Sequence, residues 1–163
     1  MDTSSAPPRE PTGRWGGSVV LASAGGAAFW VANLVISLTP IAADYRAGLS
    51  ISYLPMLLEA LVGGLILASG ISVILIRFPD RVPGRGPFSK SILLSVIAFV
   101  VVTSAIEIPA KLLSGIPDAA RYFVTGTVFN AIRILTMGVV IGAVARRLDR
   151  TRQSAATRQP SHT

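Results

Sequence analysis

Four apolar stretches, residues 18–38, 54–76, 91–108 and 122–145, divide this chain, with short joints rich in arginine, proline and glycine between them. Each is close to the roughly 20 residues that cross a hydrocarbon core about 30 Å thick. In that core no water reaches backbone N–H and C=O groups, so a crossing segment must pair them within a helix or around a closed barrel. Barrel strands would alternate apolar and polar residues in runs of about ten, whereas these stretches are continuous. The expectation is an all-α fold, a transmembrane four-helix bundle with short outer loops. The 51% hydrophobic content matters through this blocking, since a soluble domain would scatter its apolar residues in short amphipathic runs.

The charges set an orientation. Of the 15 basic residues, eleven lie before the first stretch, in the joint between the second and third, and in the tail. The other two loops hold Arg46, Lys111 and Arg121. By the positive-inside rule both termini face the cytoplasm, and a multi-pass protein of a prokaryotic inner membrane is expected. The bias of 13 arginines to two lysines fits a GC-rich genome. Arg77, Arg81, Arg85, Lys90, Arg146 and Arg147 are then expected against anionic lipid headgroups, each contributing about 1 kcal/mol near the surface. Nucleic acid is not an expected partner despite the net charge of +7, because no aromatic residues are interleaved with the tail arginines.

Residues 1–17, with three prolines and no apolar periodicity, read as a disordered cytoplasmic arm. Residues 18–147 form the transmembrane domain, and 148–163 a disordered basic tail. The first apolar stretch exceeds the roughly 7–15 residues of a leader's hydrophobic region and reads as a retained span. The loop from Thr39 to Tyr53 reads as a plain connection, with Pro55 in the first turn of the second helix. Three prolines and two glycines between Arg77 and Ser89 exclude a helix there, and Ser89 is the expected cap of the third. That helix is expected to stop before Pro109, with one interfacial turn over residues 110–114.

Small residues let helix backbones approach closely in lipid. Gly25, Gly26, Gly63, Gly64, Gly138 and Gly142 are the expected packing positions, either within the bundle or towards a partner.

Ionisable residues inside the spans need the most explanation, because a charge in hydrocarbon costs about 2.5–3.5 kcal/mol on insertion scales. Arg133 lies 13 residues from Arg146, roughly 20 Å above the inner boundary at 1.5 Å per residue. Glu59 and Glu107 count to roughly 27 and 25 Å. Helical side chains lean towards the N-terminus, so Arg133 leans outward and Glu107 inward. Asn130 shares the Arg133 face. A polar cluster of Glu59, Glu107, Asn130 and Arg133 is therefore expected in the outer half, with Asn33 a further polar residue of the first span; the structural alternative pairs Glu107 with Lys111 at the outer interface and leaves Glu59 in water near its helix start. Two carboxylates about one arginine would let one of them hold a proton reversibly.

There is no cysteine, and the single histidine, His162, lies in the tail. No metal site, cofactor or enzymatic activity is expected. Lys111 and Ser114 are three residues apart, a spacing too common to indicate a catalytic pair. The reading is a non-enzymatic membrane protein acting by association, as an accessory subunit or a self-assembling bundle. Its partners would be the lipid bilayer, anionic lipids, and a homo-oligomer or larger membrane complex. The alternative is a small proton- or ion-coupled transporter.

Overall fold

The computed structural model describes residues 12–113 and 115–157. Among them are five α-helices: α1 (Thr12–Ser37), α2 (Pro40–Gly48), α3 (Tyr53–Arg77), α4 (Pro87–Val102) and α5 (Ala119–Thr157). A single 3-10 turn, Pro79–Arg81, interrupts the joint after α3, and a π-helical segment, Thr103–Leu112, continues α4. Four helices are long and apolar enough to cross a membrane: Trp15–Ser37, Tyr53–Arg77, Pro87–Leu112 and Ala119–Thr151. The chain is a small multi-pass membrane protein built as an all-α bundle.

Several boundaries differ from the expected ones. Helix α1 begins at Thr12 and α5 runs to Thr157, so residues 12–17 and 148–157 are helical where a disordered arm and tail were expected. Polar composition does not by itself end a helix whose next turn is already nucleated. The remaining arm and tail residues lie outside the described ones, as does Ser114. Helix α4 starts at Pro87, with Gly86 in the N-cap position. Proline at N1 loses no intrahelical bond, and Ser89 falls inside the first turn rather than capping it.

Pro109 also fails to end the third span, because it sits within the π segment. There each N–H would bond the fifth carbonyl back, and the wider register relieves the clash of a proline ring with the i−4 carbonyl.

The loop between the first two spans folds. Thr39 caps α2, its Oγ1 accepting from the Ala42 N–H at 3.2 Å, and Pro40 takes N1. At the other end the Ile51 N–H donates to the Arg46 carbonyl (2.9 Å) and the Ser50 N–H to that of Ala47 (3.3 Å). This is a Schellman closure, with Ser50 at φ 52° where glycine is usual. Arg46 then reaches back, donating from Nη1 to the Ser37 carbonyl (3.1 Å) at the end of α1 and lying 5.1 Å from the Tyr53 ring centre. A cation there meets both an orphaned carbonyl and the negative end of the α1 dipole.

Helix α1 packs against α3 and α5, and α5 against α4, while α3 and α4 approach one another far less. The bundle is thus a row closed weakly on one side. Its core runs along α1 through Leu21 and Phe29, along α3 through Ala60, Ala68, Ile71 and Leu75, and along α5 through Ile134, Met137, Ile141 and Ala145.

Glycines make the seams. A β-carbon on Gly64 would meet the Phe29 ring at 2.7 Å, and one on Gly25 would meet Ile141 at 2.6 Å. Gly26 lies against Leu65, Gly138 against Ser95 and Gly142 against Phe88. Gly63 differs: nothing of the chain lies within 4 Å of where its β-carbon would be, and the same holds for Gly70.

Replacing Gly64 by leucine should lower bundle stability by about 1–3 kcal/mol through overpacking, whereas Gly70→Leu should leave the monomer fold intact; thermal unfolding in detergent reads both. Ser50→Gly keeps the left-handed conformation but removes its cost to an L-residue, and should raise stability by up to about 1 kcal/mol in the same assay.

Candidate functional site

The polar residues of the spans do converge, on pairings different from those expected. Asn130 and Arg133, three residues apart on α5, share a face and reach two different neighbours. Asn130 Nδ2 donates to Glu107 Oε1 at 2.9 Å, tying α5 to the π segment. Arg133 Nη1 donates to Asn33 Oδ1 at 2.7 Å, tying α5 to α1, and its Nε donates to the Phe129 carbonyl at 3.1 Å. The guanidinium also lies 5.7 Å from the centre of the Phe29 ring. Asn33 is 3% exposed, Asn130 8% and Glu107 9%.

Arg133 therefore makes no ion pair among the described residues; its bonded partners are neutral. Magnitudes explain why that suffices. Insertion of the charge costs about 2.5–3.5 kcal/mol. Two hydrogen bonds from a charged donor contribute about 1.5–3 kcal/mol each, and the ring adds roughly 0.5–2. Neutral acceptors held in place can offset the cost, so a contacting acid is not required.

Glu59 does not join the cluster. It is exposed, on a stretch of α3 directed away from the rest of the bundle. The expectation that it faces inward relied on burial cost alone. Yet the α1-facing row of α3 is taken by Ala60, Gly64 and Ala68, and one helical position moves a side chain about 100° from that row.

The cluster gains a member from outside the spans, Tyr45 of α2. A β-carbon on Gly126 would meet Glu107 Oε2 at 2.6 Å and the Tyr45 hydroxyl at 2.8 Å. Both groups thus converge over a position that only glycine leaves open. Tyr45 is fixed edge-on to Tyr122 (5.9 Å between ring centres) and to Phe129 (5.6 Å), with Lys111 Nζ 5.4 Å from its own ring centre. Burial, and after it the charge of Glu107, pushes the Tyr45 hydroxyl up from 10.0 to about 12, with Arg133 opposing. Several buried polar atoms here lack a protein partner, namely Glu107 Oε2, Asn33 Nδ2, Thr103 Oγ1 and Thr127 Oγ1. Sequence reading could not have placed Tyr45, because a loop residue has no assigned depth until the loop folds. The Thr39–Pro40 cap pattern was the one available signal that it does.

At the other end of the bundle lie the basic residues. Arg77, Arg81, Arg85, Arg146 and Arg147 are exposed and Lys90 is half-buried. Arg81 lies over Phe78 (5.1 Å), Arg146 over Phe88 (4.6 Å), and Lys90 Nζ donates to the Pro79 carbonyl. Among the described residues no group of three or more histidine, cysteine, aspartate or glutamate side chains could hold a metal ion. Compared with protein-family models, curated proteins and solved structures, the chain matches none.

Asn33→Ala should cost about 1–3 kcal/mol by orphaning the guanidinium, above the roughly 0.6 kcal/mol average for hydrogen bonds between membrane helices. Asn33→Asp, which restores an acceptor, should recover the loss; chemical unfolding in mixed micelles reads both. The raised Tyr45 value has a definite sign. The unfolded chain loses this proton near pH 10 and the folded one near 12, so the contribution to stability is complete below pH 10 and disappears as pH rises between the two. Tyr45→Phe should remove that part of the alkaline decline.

Proposed function

We propose that this protein acts by association within the membrane, as a self-assembling bundle or an accessory subunit, and that the outward face of α3 is its contact surface. The observation that carries this reading is the stripe Glu59, Gly63, Ile66 and Gly70. Its members recur at three- and four-residue spacing, the face of one helix. Glu59, Ile66 and Gly70 are exposed and Gly63 is half-buried, and a β-carbon on either glycine would meet no other side chain within 4 Å. Glycines inside a span weaken a helix unless something approaches closely there. A carboxylate on the same stripe, close to the outer boundary, would find a donor on a partner helix rather than in lipid. Helix α3 also packs mainly on α1, which leaves its opposite face uncovered.

Two variants test the proposal. Gly63→Ile should shift the protein towards monomers in lipid bilayers, measured by single-molecule photobleaching, while Gly64→Leu should act on folding instead. A protein that is monomeric before any substitution, alone and beside its native membrane proteins, would refute the reading.

A second reading, proton- or ion-coupled transport, is supported by the unpartnered Glu107 Oε2 beside Tyr45. In proteoliposomes, Glu107→Gln should then abolish flux; flux unchanged by it would remove the transport reading and leave association standing.

A further inference from the structure

At the basic end a cavity of about 330 Å³ opens between α1, α3, the joint and α5. That volume lies within the roughly 300–1,000 Å³ of small-molecule sites. Its lining is mixed: the buried Leu21, Leu75 and Ala145 contribute apolar wall, and Arg85, Lys90 and Asp149 contribute charge.

The joint is built to hold those charges there. Gly84 adopts φ 141°, strained for any residue with a side chain, and a β-carbon on it would press on Lys90 Cγ at 3.1 Å and Ser89 Oγ at 3.2 Å. The turn thus lies flat on the first turn of α4 and sets Arg85 at the rim. Lys90 spends one N–H on the Pro79 carbonyl and keeps two of its three donors. Arg85 and Asp149 are exposed at the mouth.

Two cations beside one carboxylate complement a group that carries one negative charge next to a hydrogen-bond donor. The buried Leu21, Leu75 and Ala145 in the wall ask, in addition, for hydrocarbon. We propose that this cavity binds the headgroup of a membrane phospholipid, with its phosphodiester oxygens between Arg85 and Lys90 and an ammonium or hydroxyl of the headgroup on Asp149. Free phosphate shares the anion chemistry but would leave the apolar walls uncovered. This site refines the expected contact of the basic joints with headgroups and is independent of the α3 association face.

The test uses the purified full chain, stripped of lipid in detergent and titrated with phosphatidylethanolamine, phosphatidylglycerol or phosphatidylcholine of matched acyl chains, with bound lipid counted by native mass spectrometry. Ethanolamine and glycerol headgroups offer Asp149 a donor, and choline offers none. Both should therefore bind more tightly than phosphatidylcholine. R85A and K90A should each weaken binding about five-fold, the worth of one cation near the surface. D149A, which removes the acceptor, should erase the preference over choline. Arg147 lies outside the cavity, so R147A reads the general pull of a basic surface and should lose less. The exposed position of Arg85 keeps R85A informative even if K90A disturbs the joint. Equal binding of all three lipids, or equal losses in R85A and R147A, would overturn the proposal. So would displacement of bound lipid by inorganic phosphate at matching concentration, which would make the cavity a free-anion site.

Discussion

The bond from Arg133 to Asn33 is the interaction on which the half of the bundle away from the basic end depends. A guanidinium in hydrocarbon must be met by acceptors that do not move, and here they come from a second helix and from its own backbone. Holding the charge requires α1 and α5 to stay in register, which in turn requires the glycine seam between them. Gly25 lies against Ile141 one level below, so the polar tie and the apolar seam position the same pair of helices. Neither would persist alone: the seam could slide, and the tie would orphan its members.

A second tie runs from the same face of α5 to the π segment. Asn130 is only one turn from Arg133, yet it bonds Glu107 on a different neighbour. One helix face thus organises three elements. The π register is part of this, because it carries helical structure through Pro109 and keeps Glu107 turned inward. Above it α2 lies across the bundle, and Tyr45 completes the cluster from outside the spans. Gly126 is where these parts meet, as only a residue without a side chain leaves room for both the carboxylate and the hydroxyl. The basic end is organised differently, by a turn that Gly84 permits and by cations that remain at the water boundary.

Much of this was legible in the residues. The apolar stretches predicted all four spans, because crossing length is a property of hydrocarbon thickness and helical rise. Five of the six glycines read as packing positions do lie against a neighbouring side chain; Gly63 does not. Asn130 and Arg133 were correctly placed on one face by spacing alone. Glu107, expected to face the bundle, is buried and bonded to Asn130, not to Arg133. The error was to demand an acid against Arg133 and to draw Glu59 towards it, since counting residues gives depth but not rotation. Pro109 was misread for a related reason: a proline forbids the ordinary helical register but does not forbid a wider one.

The sequence by itself determined the solvent, the number of crossings and which end is basic. Those follow from composition along the chain, through the cost of placing peptide groups and charges in oil. Only the tertiary structure decided which neighbour each polar side chain meets, which face of α3 is left uncovered, and that a loop tyrosine enters the cluster. Each of these depends on the rotation of one helix about its axis against another. Such rotation is set by many weak contacts between side chains distant in the chain, and no local pattern encodes it.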